Sequence, residues 1–355
     1  MLMRILGVAA LLFLVRIAVA QVPSDQQIRE ILSDAVDIQK RSVGISVGVI
    51  DASGRRVISH GTVTEGGTPV DGDTIFEIGS ITKVFTVLLL AEMVEQGELQ
   101  FDDPVVKYLP QTVTFPDAIT LEHLATHRSG LPRLPANLSP ADALNPYQDY
   151  SVDKMFEFLS AFRPTREPGE RFEYSNIGGG LLGYVLARRA NVDYETLIQT
   201  RICEPLGMPS TAITLSDGLA ARLSPGHNKD LKVVPNWDMP TLAGAGALRS
   251  SVNDMLTFLG ASTGLVDSSL APAMRALTEV RYETDSPGVE MARGWLVFSG
   301  ENELIFHIGG TGGYRTFVGY SVTSRVGVVV LSNSSASIDD IGPHLLDPRR
   351  ALAKD

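Results

Sequence analysis

Three short motifs hold side chains that can carry out acyl transfer. The first is Ser80-Ile-Thr-Lys83, which follows a glycine and precedes a long apolar stretch. A serine there begins a helix, where free backbone N–H groups and the helix dipole stabilise developing negative charge. A lysine three residues later shares the same helix face, and partial removal from water lowers its pKa so that it can accept a proton. The motif predicts Ser80 as nucleophile and Lys83 as its base.

The spacing of this motif is a weak signal by itself, because the chain contains a second copy at Ser151–Lys154. That copy opens a helical pattern, so we interpret Ser151 as a helix N-cap. The glycine before Ser80 and the apolar helix after Lys83 favour the first copy.

The second motif is Tyr174-Ser-Asn176, in a loop between a Pro-Gly turn and a helix that starts with glycines. A loop tyrosine with cations nearby can act as general acid or base. Asn176 can project to the same side and bind a substrate amide. By itself the motif also fits a half-buried tyrosine followed by a capping asparagine.

The third motif is His307-Ile-Gly309-Gly310, at the end of an apolar strand. The glycines leave room for a substrate to lie along the strand edge, with a backbone N–H aimed at its carbonyl. The N–H groups of Ser80 and Gly310 together predict an oxyanion hole. A glycine-rich hairpin is the alternative for this motif alone.

The pattern along the chain predicts an α+β fold. A helix over 25–40 precedes two strands at 43–50 and 56–63, joined by the turn 51–54. Helical segments are predicted at 81–97, 119–127, 152–162, 177–190, 193–203 and 251–260. Strands return at 294–299, 303–308, 314–322 and 326–332, before a short helix over 338–346. This order predicts one central antiparallel sheet built from both termini and flanked by helices, with an inserted helical lobe and a site in the cleft.

The three motifs, in this order, resemble those of the penicillin-recognising serine hydrolases. That superfamily includes class C β-lactamases, DD-carboxypeptidases, D-amino-acid peptidases and β-lactamase-like carboxylesterases. Five more stretches are similar to the family, so the resemblance covers nearly the whole chain after residue 20: 101–110, 119–132, 167–176, 204–208 and 246–255.

The resemblance implies a covalent, two-step acyl transfer. It makes Ser80 the nucleophile, Lys83 the proton acceptor and Tyr174 the residue that carries the proton to the leaving group. Asn176 matches the residue that holds the substrate amide and the lysine head group, and Gly310 matches the strand N–H of the oxyanion hole. No cofactor and no metal are implied.

His307 is the main departure, since class C β-lactamases resemble one another in having Lys-Thr-Gly there. Neutral histidine binds a substrate carboxylate less strongly than lysine, although near pH 6.5 it can be charged. Arg293 and Arg315 are candidates for the missing cation. Efficient cephalosporin hydrolysis is therefore not expected.

Three functions stay open. We favour a serine hydrolase that cleaves an amide in a β-lactam or a D-amino-acid peptide, because His-x-Gly and Tyr-Ser-Asn favour amides over esters. A carboxylesterase on the same fold is the first alternative, and a non-catalytic penicillin- or peptidoglycan-binding module is the second. The predicted partner is a small molecule or peptide. A net charge of −11 without a basic run argues against nucleic acid.

Three further patterns are interpreted as structural. Gly260-Ala-Ser262-Thr-Gly264 fits a nucleophile elbow, but a helix precedes it where that elbow needs a strand. His123 and His127 have zinc-like spacing, but Leu124 stands where the HExxH motif has its glutamate, and no third ligand is obvious. Cys203 is the single cysteine and is predicted to be buried.

The first twenty residues predict a signal peptide. Arg4 precedes an apolar run at 5–15, and Ala18-Val-Ala20 is a cleavage site of the A-x-A type. Cleavage after Ala20 would leave one catalytic domain over 21–355, secreted or periplasmic, with a sheet lobe (21–79 and 285–355) and a helical lobe (80–284). Arg16 is unusual in a signal peptide and leaves an uncleaved membrane anchor as the alternative.

Overall fold

The computed structural model describes residues 22–353, so the predicted signal peptide lies outside the described residues. Its strands are β1 Gly44–Asp51, β2 Gly54–Gly61, β3 Ile75–Glu77, β4 Gly226–His227, β5 Val233–Val234, β6 Arg249–Ser251, β7 Tyr282–Glu283, β8 Val289–Met291, β9 Leu296–Phe298, β10 Leu304–Gly310, β11 Arg315–Ser321 and β12 Val326–Ser332. Its helices are α1 Asp25–Ser33, α2 Thr82–Glu95, α3 Leu121–Ala125, α4 Val152–Ala161, α5 Asn176–Ala190, α6 Tyr194–Ile198, α7 Glu204–Leu206, α8 Asp217–Ala220, α9 Ala243–Gly246, α10 Val252–Ser262, α11 Ala271–Ala276 and α12 Ile341–Leu346.

One antiparallel sheet of eight strands organises the chain, in the order β2-β1-β12-β11-β10-β9-β8-β7. The N-terminal hairpin β1–β2 pairs with β12, with Ile45 opposite Ser332. The predicted α+β fold, with a sheet built from both ends of the chain, is confirmed.

The sheet is covered on both faces, which explains the unbroken apolar run of β12. Val328 and Val330 pack against the core under α1 and α12, whereas Val329 and Leu331 face the larger core with the other helices. A strand buried on both sides has no polar face, so its sequence does not alternate.

Helix α2 is buried on almost all sides, from Thr82 to Ala91 and again at Met93. An apolar surface all around is typical of a helix inside a core. Because α2 starts two residues after Ser80, its burial fixes the serine between the sheet and the remaining helices. Within residues 22–353, no helix has the length and apolar character needed to cross a membrane.

Candidate active site

Ser80 lies in a 3₁₀ turn, Gly79–Ile81, that packs against the end of β10. Gly79 has a φ of +52°, and a Cβ there would lie 2.7 Å from the amide nitrogen of Gly310. A Cβ on Gly309 would lie 2.0 Å from the carbonyl oxygen of Ile78. Glycine is required at both places for the backbones to approach, and the approach brings Ser80 and Gly310 to the wall of one cleft.

Lys83 is buried, with 2% of its surface exposed. Its Nζ lies 3.1 Å from Ser80 Oγ, 3.0 Å from Asn176 Oδ1 and 2.6 Å from the carbonyl oxygen of Ala245. Burial, helped by the charge of Arg133, holds the pKa of Lys83 well below its usual range. The structure thus favours a neutral amine next to the serine hydroxyl.

The three partners of Nζ match the hydrogen-bonding capacity of a neutral amine. Such an amine has two N–H donors and one lone pair. Asn176 Oδ1 and the Ala245 carbonyl accept the two N–H groups. The lone pair is left for the proton of Ser80 Oγ, so Lys83 can act as a base without losing its other contacts.

Tyr174 directly precedes the N-cap of α5, Ser175, whose Oγ accepts the N–H of Gly178 at 2.9 Å. Its ring centroid lies 4.9 Å from Lys83 Nζ. Burial raises the pKa of Tyr174 to about 12, although the Ser80 hydroxyl and nearby arginines act in the opposite direction. Tyr174 is therefore a phenol at neutral pH and can donate a proton.

His127 supports the loop that carries Tyr174. Its Nδ1 accepts the N–H of Ser175 at 3.2 Å, and its ring lies 4.3 Å from that of Tyr174, centroid to centroid. Burial keeps the pKa of His127 well below its usual value. His123 accepts the N–H of Thr120 at the start of α3. In the described part of the chain, no cluster of metal-ligating side chains includes either histidine.

His307 lies on β10 beside the cleft and is 1% exposed. Its Nδ1 lies 2.7 Å from the carbonyl oxygen of Ile308, and its Nε2 is buried without a protein partner. Burial, with the nearby Lys83, lowers the pKa of His307 to about 3. The sequence alone allowed a charged His307 near pH 6.5. The structure corrects this expectation, because burial of His307 in the sheet keeps its imidazole ring neutral.

The proton resonances of the His307 ring are expected to stay constant between pH 8 and pH 5, because its lowered pKa keeps it neutral throughout that range. NMR titration of the whole protein measures this directly. The His307 peak is assigned by its disappearance in His307→Gln. A midpoint near pH 6.5 for that peak would show that the ring takes up a proton and would contradict the neutral assignment.

The comparisons with known proteins agree with this geometry. The family model described as Beta-lactamase matches residues 25–346. The chain belongs to the β-lactamase family. A β-lactamase of Pseudomonas fluorescens is 24% identical, over 87% of this chain and 94% of that protein. The D-alanyl-D-alanine carboxypeptidase/endopeptidase AmpH of Escherichia coli K12 is 28% identical, over 83% of this chain and 80% of that protein.

A solved structure confirms the fold of this family member. The β-lactamase/D-alanine carboxypeptidase of Pseudomonas syringae superposes with a TM-score of 0.81, at 21% identity, over 93% of this chain and all of that one. The family match and the relatives from Pseudomonas fluorescens and Escherichia coli identify this chain as a serine hydrolase.

The family member's two predicted carboxylate-binding arginines both have acidic partners. Arg293 Nε lies 2.7 Å from Glu122 Oε2, and the residue does not line the cleft at Ser80. Arg315 lines the cleft, but its Nε lies 2.6 Å from Asp339 Oδ1. Both arginines are thus already neutralised in part by a carboxylate.

Arg133 is a cation that the sequence analysis missed. Its guanidinium lies 5.0 Å from the Tyr174 ring centroid, at the rim of the cleft. Among residues 22–353 it forms no ion pair. Arg133 directly follows the family-like stretch 119–132, and this position was the one feature of the sequence that could have indicated a place near the site.

Ser262, Ser151 and Cys203, which the sequence assigns to structural roles, each have a structural environment in the fold. Ser262 lies in the last turn of α10 and donates to the Phe258 carbonyl at 2.9 Å. Ser151 caps α4 by accepting the N–H of Lys154. Cys203 is 1% exposed, and burial raises its pKa to about 12, so it is an inert thiol at neutral pH.

Proposed function

We propose that this serine hydrolase forms an acyl-enzyme on Ser80 and hydrolyses an amide bond in a β-lactam or a D-amino-acid peptide. The observation that carries the proposal is the environment of Lys83. Its amine is buried and lies within hydrogen-bond distance of Ser80 Oγ, while two carbonyl oxygens hold its own N–H groups. That arrangement suits a base for the serine and needs no histidine or metal.

In the acylation step, the Ser80 Oγ proton moves to the Lys83 amine while Oγ bonds to the substrate carbonyl carbon. The N–H groups of Ser80 and Gly310 stabilise the resulting oxyanion. Tyr174 then donates its phenol proton to the leaving nitrogen as the C–N bond breaks. The Lys83 ammonium returns a proton to the phenolate, so the lysine is neutral again.

Water completes the cycle by attacking the acyl carbon. Its proton passes to the base formed by Lys83 and Tyr174, and the Ser80 oxygen is protonated as the ester bond breaks. Asn176 holds the amine of Lys83 throughout, and its Nδ2 donates to Tyr147 Oη at 3.2 Å. This contact keeps the Asn176 amide in the orientation that the lysine requires.

Relatives in both amide-hydrolysing classes support the choice of an amide substrate. The similar protein from Pseudomonas fluorescens is named a β-lactamase, and that from Escherichia coli is named a carboxypeptidase/endopeptidase. Neutral His307 supplies no charge for a substrate carboxylate. We therefore expect weaker binding of cephalosporins than of substrates that do not rely on a cation there.

A substrate panel tests the proposal. The native protein is expected to hydrolyse a penicillin or an acyl-D-alanyl-D-alanine peptide as well as the ester analogue of the same peptide, because Tyr174 can give the leaving nitrogen the proton that amide cleavage requires. Initial rates give kcat/KM for each substrate. Ester turnover alone would favour the carboxylesterase, and reversible penicillin binding without turnover or adduct would favour a non-catalytic module.

We further propose that residues 1–20 direct export and are removed after Ala20. The support is the sequence pattern of Arg4, the apolar run 5–15 and the A-x-A site. Expression of the full chain in a bacterium is expected to yield periplasmic protein that begins at Gln21, as read by N-terminal sequencing. A membrane-bound product that retains Met1 would instead show an uncleaved anchor.

A further inference from the structure

The wall of the cleft at Ser80 carries positive side chains, although the whole chain is acidic. The net charge of the chain is −11. Among the residues that the structure describes, no aspartate or glutamate lines the cleft, whereas Arg133 and Arg315 do. A cleft lined by one sign of charge attracts ligands of the opposite sign. The lining of the cleft therefore favours a substrate that carries a negative charge.

Arg315 contributes little of this charge, because a carboxylate already holds its guanidinium. Its Nε lies 2.6 Å from Asp339 Oδ1, and its Nη2 contacts the second oxygen, Oδ2. Such a two-point pair satisfies both partners in a fixed geometry. Burial keeps the side chains of Lys83 and His307 neutral. In the described part of the chain, Arg133 is thus the charged side chain of the cleft that has no acidic partner.

The main chain at Arg133 is attached to the loop that carries Tyr174. The Asn176 N–H donates to the Arg133 carbonyl at 2.9 Å, and Ser175 Oγ donates to the Pro132 carbonyl at 2.8 Å. The guanidinium lies 5.0 Å from the centroid of the Tyr174 ring. These bonds fix the base of the Arg133 side chain beside Tyr174, while the residue itself is exposed at the rim of the cleft.

The position of Tyr174 relates Arg133 to one part of the substrate. In the proposed function, Tyr174 gives its proton to the leaving nitrogen. When the leaving group is a C-terminal amino acid, its carboxylate carbon is two bonds from that nitrogen. The carboxylate then lies in the neighbourhood of Tyr174, where the guanidinium of Arg133 presents paired N–H donors. An internal peptide bond places an uncharged amide at the same point.

We propose that Arg133 determines specificity by binding the carboxylate of the leaving group, so that the enzyme cleaves terminal amide bonds in preference to internal ones. A penicillin meets the same requirement, because its carboxylate is also two bonds from the leaving nitrogen. The cation comes from the loop that follows α3, whereas the strand position of His307 supplies none. The inference rests on the roles of Ser80 and Tyr174 in the proposed function.

A pair of peptides tests the inference. An N-acyl-D-alanyl-D-alanine and its C-terminal amide share the acyl group and the scissile bond, and they differ in the charge of the leaving group. For the native enzyme we expect kcat/KM to be about tenfold higher for the acid, because the amide loses a charge-assisted hydrogen bond. Chromatography of the released D-alanine or D-alaninamide gives both rates. Equal values for the two peptides would overturn the inference.

Three variants make the test specific to Arg133. In Arg133→Gln the acid should lose its advantage, mainly through a higher KM. Arg133→Lys retains the charge and should restore part of the preference. Arg163→Gln is the matched control, because Arg163 is exposed, donates to main-chain carbonyls and does not line the cleft, so the native ratio is expected. A native ratio in Arg133→Gln would overturn the assignment of this residue.

Ionic strength supplies a measurement on the native enzyme that needs no variant. The distance over which salt screens charges falls from about 10 Å at 0.1 M to about 3 Å at 1 M. Because Arg133 is exposed, kcat/KM for the acid should fall toward that of the amide as salt is added. An acid-to-amide ratio that does not change with salt would contradict recognition by an exposed charge.

The same pair made as esters separates this inference from the proposed function. An N-acyl-D-alanyl-D-lactate and its lactamide present the same two leaving groups without requiring amide cleavage. A preference for the lactate, with no hydrolysis of either peptide, would contradict the amide proposal and leave the role of Arg133 standing. Hydrolysis of both peptides at equal rates would do the reverse. No turnover of any of the four compounds would contradict both.

Discussion

Ser80→Ala is expected to lower kcat for any hydrolysed substrate by a factor on the order of 10⁶, the loss seen when a serine hydrolase loses its nucleophile. No other hydroxyl lies within hydrogen-bond distance of Lys83 Nζ in the described part of the chain. The substitution removes one partly exposed oxygen, so the fold should survive. Steady-state rates measure the loss, and circular dichroism and the Tm verify folding.

The matched control is Ser262→Ala, which changes the serine of the other candidate motif. Ser262 Oγ donates within its own helix and faces no catalytic group, so the variant should turn over substrate at nearly the native rate. Loss of activity in Ser262→Ala, with Ser80→Ala still active, would overturn the assignment of the nucleophile.

Lys83→Met is expected to slow acylation by about 10²–10⁴-fold, the usual contribution of general acid–base catalysis. Methionine has nearly the same length but cannot take the serine proton. Lys83→Arg should be slowed similarly, because a guanidinium stays protonated. Rapid mixing with a chromogenic substrate measures the acylation rate, and native-like acylation by Lys83→Arg would contradict a neutral base.

The pH dependence of acylation tests whether Lys83 reacts as a neutral amine. Because the pKa of Lys83 is held well below 10.5, its side chain loses its proton at a lower pH than a free lysine does. The native rate should therefore fall on acidification and should not need pH above 10 to reach its plateau. A rate that rises only above pH 10 would mean an ordinary, charged lysine.

The sheet could be predicted because its strands have strong local patterns. The predicted range of β12, 326–332, matches the structure residue for residue, since a run of valines and leucine buried on both faces leaves no ambiguity. β7 and β8 were missed because strands of two and three residues are too short to show a period.

The site residues could be predicted where local sequence decides their spacing. The three-residue separation of Ser80 and Lys83 places them together at one helix start, as observed. The third partner of Lys83, the Ala245 carbonyl, could not be predicted, because a backbone acceptor leaves no side-chain signature. Tertiary burial likewise decides that His307 is neutral, and no local pattern shows it.

The arginines illustrate how long-range pairing escapes sequence reasoning. Arg293 was a candidate for a substrate carboxylate, and its partner Glu122 lies far away in the chain. Arg133 has no such partner among the described residues and lies at the cleft. Only the fold shows which guanidinium is left for a ligand.

The proposed mechanism requires one covalent event, the acylation of Ser80. The most direct test is acid-quenched intact-protein mass spectrometry of residues 21–355 mixed with a penicillin, followed by peptide mapping. We predict an added mass of one penicillin on the peptide that contains Ser80, and none in Ser80→Ala. An adduct that persists in Ser80→Ala, or turnover with no adduct on Ser80 at any quench time, would contradict the account.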